Sequence, residues 1–237
     1  MKFAYDLHMH SALSACSDNE MTPNNIVNMA ILKELDIIAV TDHNSAENIE
    51  AVIKCSEGSD ILVAPGMEIE TMEEIHVVCL FPGIGQVNKM QEIVYKALPS
   101  LKNREDIFGR QIIYDENDDE KGVVDKLLLT AVNFSIDDLK KYVDELNGVI
   151  IPAHVDRSSY SVISNLGSVP ENLNLKYLEI SKKADLQNLI RNNPEVMNYK
   201  LIKSSDAHSL ADISERESFI DIEEKSIQCL ISKIKNG

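Results

Sequence analysis

The chain has 237 residues, 44% hydrophobic and 26% charged, so it is long enough to bury a substantial core. Its 39 acidic and 23 basic residues give a net charge of −16, which opposes binding to nucleic-acid backbones and anionic membranes. No apolar run reaches the ~20 residues of a membrane helix, and no secretory leader fits the first residues. Four scattered cysteines fit a reducing compartment. We therefore expect a cytoplasmic protein that does not bind membranes. Nucleic acid is an unlikely partner on the same grounds.

Short apolar strands alternate with amphipathic helices along most of the chain. Thr22 is a suitable N-cap for a first helix that begins at Pro23. The predicted strands cover residues 3–5, 37–40, 61–64, 75–81, 149–151, 175–180, 201–202 and 218–222. The predicted helices cover residues 23–35, 46–55, 87–98, 136–146 and 225–235. This alternation is typical of parallel sheets and closed α/β barrels.

Residues 85–145 interrupt this alternation with a long excursion. It contains two of the predicted helices, the second with Ser135 as N-cap, and two short strands at 111–114 and 122–124. No linker rich in Pro, Gly or Ser separates it from the rest. We therefore expect a single domain over residues 1–237 with an insertion at about 85–145.

The first strand ends in the hexapeptide Asp6-Leu7-His8-Met9-His10-Ser11. Side chains two residues apart in an extended segment lie on one face, so His8 and His10 should project together. Two converging imidazoles supply half of a typical zinc site. On its own, a His-x-His pair would more often be a chance surface feature.

The remaining histidines strengthen the metal interpretation, because none lies on a predicted helix face. They occur with acidic residues at the ends or starts of other strands, in Thr41-Asp42-His43, Glu68, His76, Ala153-His154 and Ser205-Asp206-Ala207-His208. Imidazole mixed with carboxylate suits borderline divalent metals. So many donors predict two or three ions, with Glu68 suited to bridge a pair. Asp42 is either a ligand or a group that orients His43.

Together these motifs resemble the ordered motifs of the PHP (polymerase and histidinol phosphatase) family over nearly the whole chain. The resemblance implies a distorted (β/α)7 barrel, here with the insertion placed before the sixth motif region. It also implies a trinuclear site of zinc, manganese or iron that hydrolyses phosphoesters. By motif, His8, His10, Glu68 and Asp206 would hold one ion, and Glu68, His76 and His154 a second.

The third ion would be held by His43, His208 and one residue of the loop after His10. Here the sequence departs from the family pattern, which usually has His or Asp in this loop. Cys16 is the better match by position, and a thiolate is a good zinc ligand. Asp18, slightly further along, is the alternative.

The expected activity is hydrolysis of a phosphoric ester by a hydroxide that the metals generate from water. Glu68 and Asp206 are the expected catalytic residues, acting through the ions they hold. Arg157 is a candidate phosphate ligand because guanidinium binds phosphate bidentately, although it could equally pair with Asp156 or another acid. Lys182 and Lys183 are weaker candidates.

The sequence favours a small phosphorylated metabolite or nucleotide as substrate, because the overall charge is strongly negative. The alternatives are a 3′–5′ exonuclease-type phosphodiesterase and a non-catalytic scaffold that binds metal.

Overall fold

A computed structural model describes all residues, 1–237. The strands are β1 (Lys2–Met9), β2 (Ile37–Val40), β3 (Leu62–Val63), β4 (Gly66–Glu70), β5 (His76–Leu80), β6 (Ile112–Tyr114), β7 (Glu120–Val123), β8 (Val149–Pro152), β9 (Tyr177–Ile180), β10 (Lys200–Lys203) and β11 (Phe219–Asp221). The helices are α1 (Pro23–Leu32), α2 (Ile49–Ser56), α3 (Ile84–Ala97), α4 (Glu105–Phe108), α5 (Ile136–Glu145), α6 (Val162–Leu166), α7 (Leu186–Asn192) and α8 (Ile227–Asn236). Three 3-10 turns cover Glu171–Leu173, Pro194–Asn198 and Leu210–Asp212. No helix is both long enough and apolar enough to cross a bilayer.

The strands pair in four sheets. Their orders are β11-β1-β2-β3, β10-β9, β4-β5-β8 and the separate hairpin β6-β7. Isolated bridges between Met9 and Ala207 and between His43 and Glu68 join three of these sheets. A backbone hydrogen bond of 2.9 Å from Val155 to Glu179 links the ends of β8 and β9. Every one of these connections lies beside a predicted site residue.

The mixed α/β class expected from the sequence is confirmed, while the exact (β/α)7 barrel stays a prediction. β1, β2 and β3 are parallel to one another, but β5 runs antiparallel to both β4 and β8. A short turn at 71–75 replaces the helix that a parallel connection would need.

The reversal of β5 explains why His76 is found at the start of a strand. In the antiparallel ladder His76 pairs with Glu70 at the end of β4, and Val77 pairs with Pro152 at the end of β8. The first residue of β5 therefore lies at the edge where its neighbours end. His76 therefore lies in the same cluster as the histidines at the ends of other strands, although it begins its own strand.

Apolar packing surrounds the sheets on two sides. The smaller core cluster of 17 residues gathers alternate side chains of strands from separate sheets, such as Leu7, Ile37, Val78, Ile151 and Ile202, together with residues of α8. A larger cluster of 42 residues packs the opposite strand faces against the other helices. Strands of different sheets thus share one interior, and the polar motifs lie at their ends.

The excursion packs against the loop that follows His10. Its elements agree with the sequence prediction: α3, the β6-β7 hairpin, and α5 capped by the Ser135 side chain. The Ile112 amide donates to the carbonyl of Ala12, and the Asn44 side chain donates to the carbonyls of Leu128 and Thr130. These bonds hold residues 109–130 beside the loops that carry His10 and His43.

Candidate metal centre

Six histidines and two acidic residues meet at one end of the strands. Glu68 lies at the centre with both carboxylate oxygens facing imidazole nitrogens. Oε1 is 3.2 Å from His8 Nε2, 3.1 Å from His76 Nδ1 and 3.5 Å from His154 Nε2. Oε2 is 2.9 Å from His43 Nδ1 and 3.5 Å from His10 Nε2. Five histidines from distant parts of the chain thus surround a single carboxylate.

The contacts around Glu68 fit metal ions better than they fit hydrogen bonds. Both Glu68 oxygens are buried and neither has a hydrogen-bond partner, and the same is true of His154 Nδ1. Buried polar atoms without partners are costly, so each needs an explanation such as an ion. The donor atoms of three triads lie within 4.8 Å of one another: His8, His10 and Glu68; His43, Glu68 and His76; His10, His43 and His208. The donors present therefore fit divalent ions on both sides of Glu68.

The charge state of Glu68 follows from these neighbours. Burial opposes its ionisation, but the positive charges of His76, His8 and His43 outweigh burial and hold the pKa of Glu68 well below its usual range. The carboxylate is thus ionised and available to bind cations.

Asp206 lies beside the His8–His10 pair. Its Oδ1 is 3.0 Å from His10 Nε2 and 3.4 Å from His8 Nε2. Its Oδ2 forms an ion pair with Arg157 Nη1 at 2.7 Å. Asp206 has a φ of +52° and His154 a φ of +31°, values that cost backbone energy in non-glycine residues and often occur at functional sites. Arg157 therefore pairs with an acid of the site and not with Asp156.

Cys16 lies at the rim of the cluster and lines the same cavity as His208 and His43. Desolvation raises the pKa of this thiol, but the neighbouring imidazoles of His208 and His43 outweigh it and bring the pKa down to about 7. Asp18 is exposed, and its backbone N–H donates to the carbonyl of His208. Between the two alternatives, the side chain of Cys16 is the one that reaches the two histidines.

Two buried acidic residues, Glu179 and Asp42, lie behind the histidine cluster. Glu179, in the middle of β9, binds His8 Nδ1 with its two oxygens at 2.9 and 3.1 Å and accepts from the backbone N–H of His154. This contact keeps a proton on Nδ1, so that Nε2 is the nitrogen that would bind an ion beside Glu68. Asp42 accepts from Ser11 and Ser14 at 2.6–2.7 Å, so its carboxylate shapes the loop after His10. The structure thus places Asp42 behind the site.

A cavity of about 290 Å³ opens onto this cluster. Its lining includes Cys16, Glu70, Leu129, Arg157 and Tyr160 with three of the histidines. The Tyr160 ring stacks on His76 with centroids 4.6 Å apart, and the residue is 45% exposed. Its carbonyl accepts from the N–H of His76, which fixes the loop although Tyr160 has a φ of +54°. The cavity therefore combines a polar floor with an accessible aromatic wall.

The sequence prediction missed Glu179 and Tyr160. Glu179 carried a signal, because it is the one acid within the apolar run 175–180 and such a buried charge needs a partner. Nothing in the sequence singled out Tyr160, because a tyrosine in a serine-rich loop has no pattern that indicates a functional role.

One curated relative is the 5′-3′ exoribonuclease Rnm of Salmonella typhimurium, 35% identical over 81 residues, which are 32% of this chain and 27% of that protein. The matched regions span less than a third of the length of the curated relatives.

Solved structures share the fold at low identity. The lesion-specific endonuclease Q of Pyrococcus furiosus matches 99% of this chain and 56% of its own, with a TM-score of 0.68 and 19% identity. A protein assigned as a metal-dependent phosphoesterase from Bifidobacterium adolescentis matches 95% of each chain, with a TM-score of 0.61 and 16% identity.

These comparisons correct one expectation and support another. The expectation that nucleic acid is an unlikely partner is wrong, since similar proteins include an exoribonuclease and an endonuclease also solved with a 27-mer duplex substrate. It failed because net charge describes the whole surface. The electrostatic potential at a single site can be positive where cations bind or basic residues gather. The expected enzyme class, a metal-dependent hydrolase of phosphoric esters, agrees with the same proteins.

The family model for the PHP domain matches residues 6–198, a range that includes seven of the nine predicted metal ligands and ends before Asp206 and His208. Because this range covers most of the chain, the protein belongs to the PHP domain family.

Proposed function

We propose that the chain is a metal-dependent phosphodiesterase that hydrolyses phosphodiester bonds in nucleic acid, at a chain end or in an unpaired stretch. The observation that carries this proposal is the pair of orphaned Glu68 oxygens, surrounded by nitrogens of five histidines at 2.9–3.5 Å. A non-catalytic scaffold would be expected to lack some of these donors, and here they converge.

We assign the ligand sets from the sequence motifs, and the close approach of His8, His10 and Glu68 supports the first of them. His8, His10, Glu68 and Asp206 would hold one ion, and Glu68, His76 and His154 a second. His43, His208 and Cys16 would hold the third, with thiolate favouring zinc. When bound, such ions lower the pKa of water and neutralise phosphate charge.

The residues of the chain contribute binding and orientation. Glu179 keeps His8 in the tautomer that turns Nε2 towards Glu68. Arg157, 43% exposed and beside Asp206, is placed to bind a phosphate oxygen. These two roles position the scissile phosphate against the floor of the cavity.

Nucleic acid is favoured over a simple monoester by Tyr160. An exposed ring packed on His76 offers a face on which a nucleobase can stack. Duplex bases are already stacked on each other, so this wall suits an unpaired nucleotide. The exoribonuclease and endonuclease among the similar proteins support the same substrate class.

The test is hydrolysis of single-stranded DNA and RNA oligonucleotides by protein loaded with zinc, manganese or iron. Glu68→Gln keeps the size of the side chain but removes the shared charge. We expect it to reduce kcat by at least roughly 100-fold, the range for removing one preorganised electrostatic interaction.

Glu92→Gln is the matched control, because Glu92 is on α3 and does not line the cavity. It should leave the rate unchanged. Equal rates for wild type and Glu68→Gln would refute the metal-centred mechanism. Cleavage of phosphomonoesters without cleavage of either oligonucleotide would refute the nucleic-acid assignment.

A further inference from the structure

A second cavity, of about 220 Å³, adjoins the metal-side cavity. Arg157 and Asp206 line both of them. The rest of its lining is entirely polar and consists of Ser181, Lys182, Lys183, Ser205 and Asp212. The proposed metal centre accounts for Asp206 but gives no role to the two lysines.

The lysines are held beside Arg157 by a polar contact between loops. Asp156 accepts from the backbone N–H of Ser181 at 2.7 Å and from its hydroxyl at 2.5 Å. This pair ties the turn after β9 to the loop after β8, which carries Arg157. The position of Lys182 and Lys183 relative to Arg157 is therefore set by half-buried hydrogen bonds.

The two lysines of this cavity are largely uncommitted. Lys182 Nζ donates to the carbonyl of Asp212 at 3.3 Å, and neither lysine forms a salt bridge. The two carboxylates in the lining are already engaged, Asp206 by Arg157 and Asp212 by the Ser209 hydroxyl at 2.8 Å. An entering anion would thus meet the ammonium groups of Lys182 and Lys183, which have no ion-pair partner, together with Arg157, whose charge is offset in part by Asp206.

We propose that this cavity, which we call the lysine cavity, binds the phosphate next to the scissile one in a nucleic-acid strand. Because Arg157 lines both cavities, a strand whose scissile phosphate lies at the metal centre passes its next phosphate towards Lys182 and Lys183. The inference rests on the proposed function and adds a specificity rule to it. The preferred substrate carries at least two consecutive phosphodiesters.

The experiment compares two unpaired substrates in the metal-loaded protein. A dinucleoside monophosphate offers only the scissile phosphate, whereas a trinucleoside diphosphate also offers its neighbour. We expect kcat/KM to be about tenfold higher for the trinucleotide, the effect of one or two hydrogen bonds to a charged group. A trinucleotide with a neutral methylphosphonate at one linkage should lose this advantage.

The double variant Lys182→Ala/Lys183→Ala should bring the ratio of the two kcat/KM values from about ten towards one. The slope of log(kcat/KM) against log salt for the trinucleotide should also flatten by about 0.7 for each phosphate charge that the lysines no longer neutralise. A purely structural role of the lysines would not change this slope. The matched control is Lys140→Ala/Lys141→Ala, an adjacent pair on α5 that lines neither cavity.

Three results would overturn the inference. These are equal kcat/KM for the two substrates in the wild type, an equal loss for both in the double variant, and an unaffected methylphosphonate trinucleotide. If neither substrate is cleaved by the wild type, the proposed function fails. Fluorescence anisotropy of the same two labelled ligands then decides the inference by itself, since the lysine cavity requires tighter binding of the trinucleotide and loss of that preference in the double variant.

Discussion

The floor and the rim of the candidate site are built in different ways. The floor consists of His8, Glu68, His154 and Glu179, each at most 2% exposed and each reached by a partner from a distant part of the chain. The rim consists of Cys16, Arg157, Tyr160 and Lys183, which lie on loops and are accessible. Burial strengthens electrostatic interactions and fixes geometry, whereas accessible side chains can meet a large ligand. We therefore expect floor residues to govern metals and rim residues to govern substrate.

The largest expected effect is the loss of thermal stability when metal is removed from the floor. Removing metal with excess chelator should lower the melting temperature, because ions that bind the native state at 100 times their Kd stabilise it by about 2.7 kcal/mol. For a chain of this size that is a shift of roughly 5–10 °C. Differential scanning calorimetry before and after restoring manganese or zinc measures it. A chelated protein that melts at the same temperature as the loaded one would show that the floor binds no ion tightly.

Glu179→Gln tests whether the floor depends on a residue that touches no substrate. The amide cannot supply the charge that holds His8 Nδ1, so we expect metal affinity to fall about 10–100-fold. Metal-competition titration with a chromophoric chelator gives the affinity directly. The control is Glu171→Gln, an exposed glutamate in a 3-10 turn. Unchanged affinity with lower activity would assign Glu179 to the substrate side instead.

Tyr160→Ala tests the rim. Stacking of a base on an aromatic ring is worth about 1–3 kcal/mol, so KM for a single-stranded oligonucleotide should rise about tenfold or more while metal content is unchanged. Tyr160→Phe keeps the ring and should behave like the wild type. A loss of metal in Tyr160→Ala would mean that the ring supports His76 and does not bind the substrate.

Cys16→Ser has the smallest expected effect. Cys16 is an exposed rim residue, and it would contribute to only one of the three proposed ions. We expect the loss of one bound ion per chain and a decrease in activity of less than about tenfold. Elemental analysis counts the ions. Full metal content in Cys16→Ser would place the third ligand elsewhere, with Asp18→Asn as the next variant to measure.

The sequence predicted the elements of the floor well, since apolar runs and strand-end polar motifs are local signals. It could not predict that β5 runs antiparallel, because strand direction depends on how 71–75 folds back on β4. The pairing of His8 with Glu179 was equally hidden, since 171 residues separate them. The expectation that nucleic acid is an unlikely partner failed for another reason. Net charge averages over the whole surface, whereas Arg157, Lys182 and Lys183 gather only when two loops are tied by Asp156 and Ser181.

Gly109 has a φ of +98°, and a side-chain carbon added there would lie 2.6 Å from the carbonyl oxygen of Ala15. Any replacement would push aside the segment that presents the Cys16 thiol. The excursion thus restricts substitution at a position that binds no ligand itself, and this turn tolerates fewer amino-acid changes than other loops. A library randomised at position 109 should return glycine when selected for function.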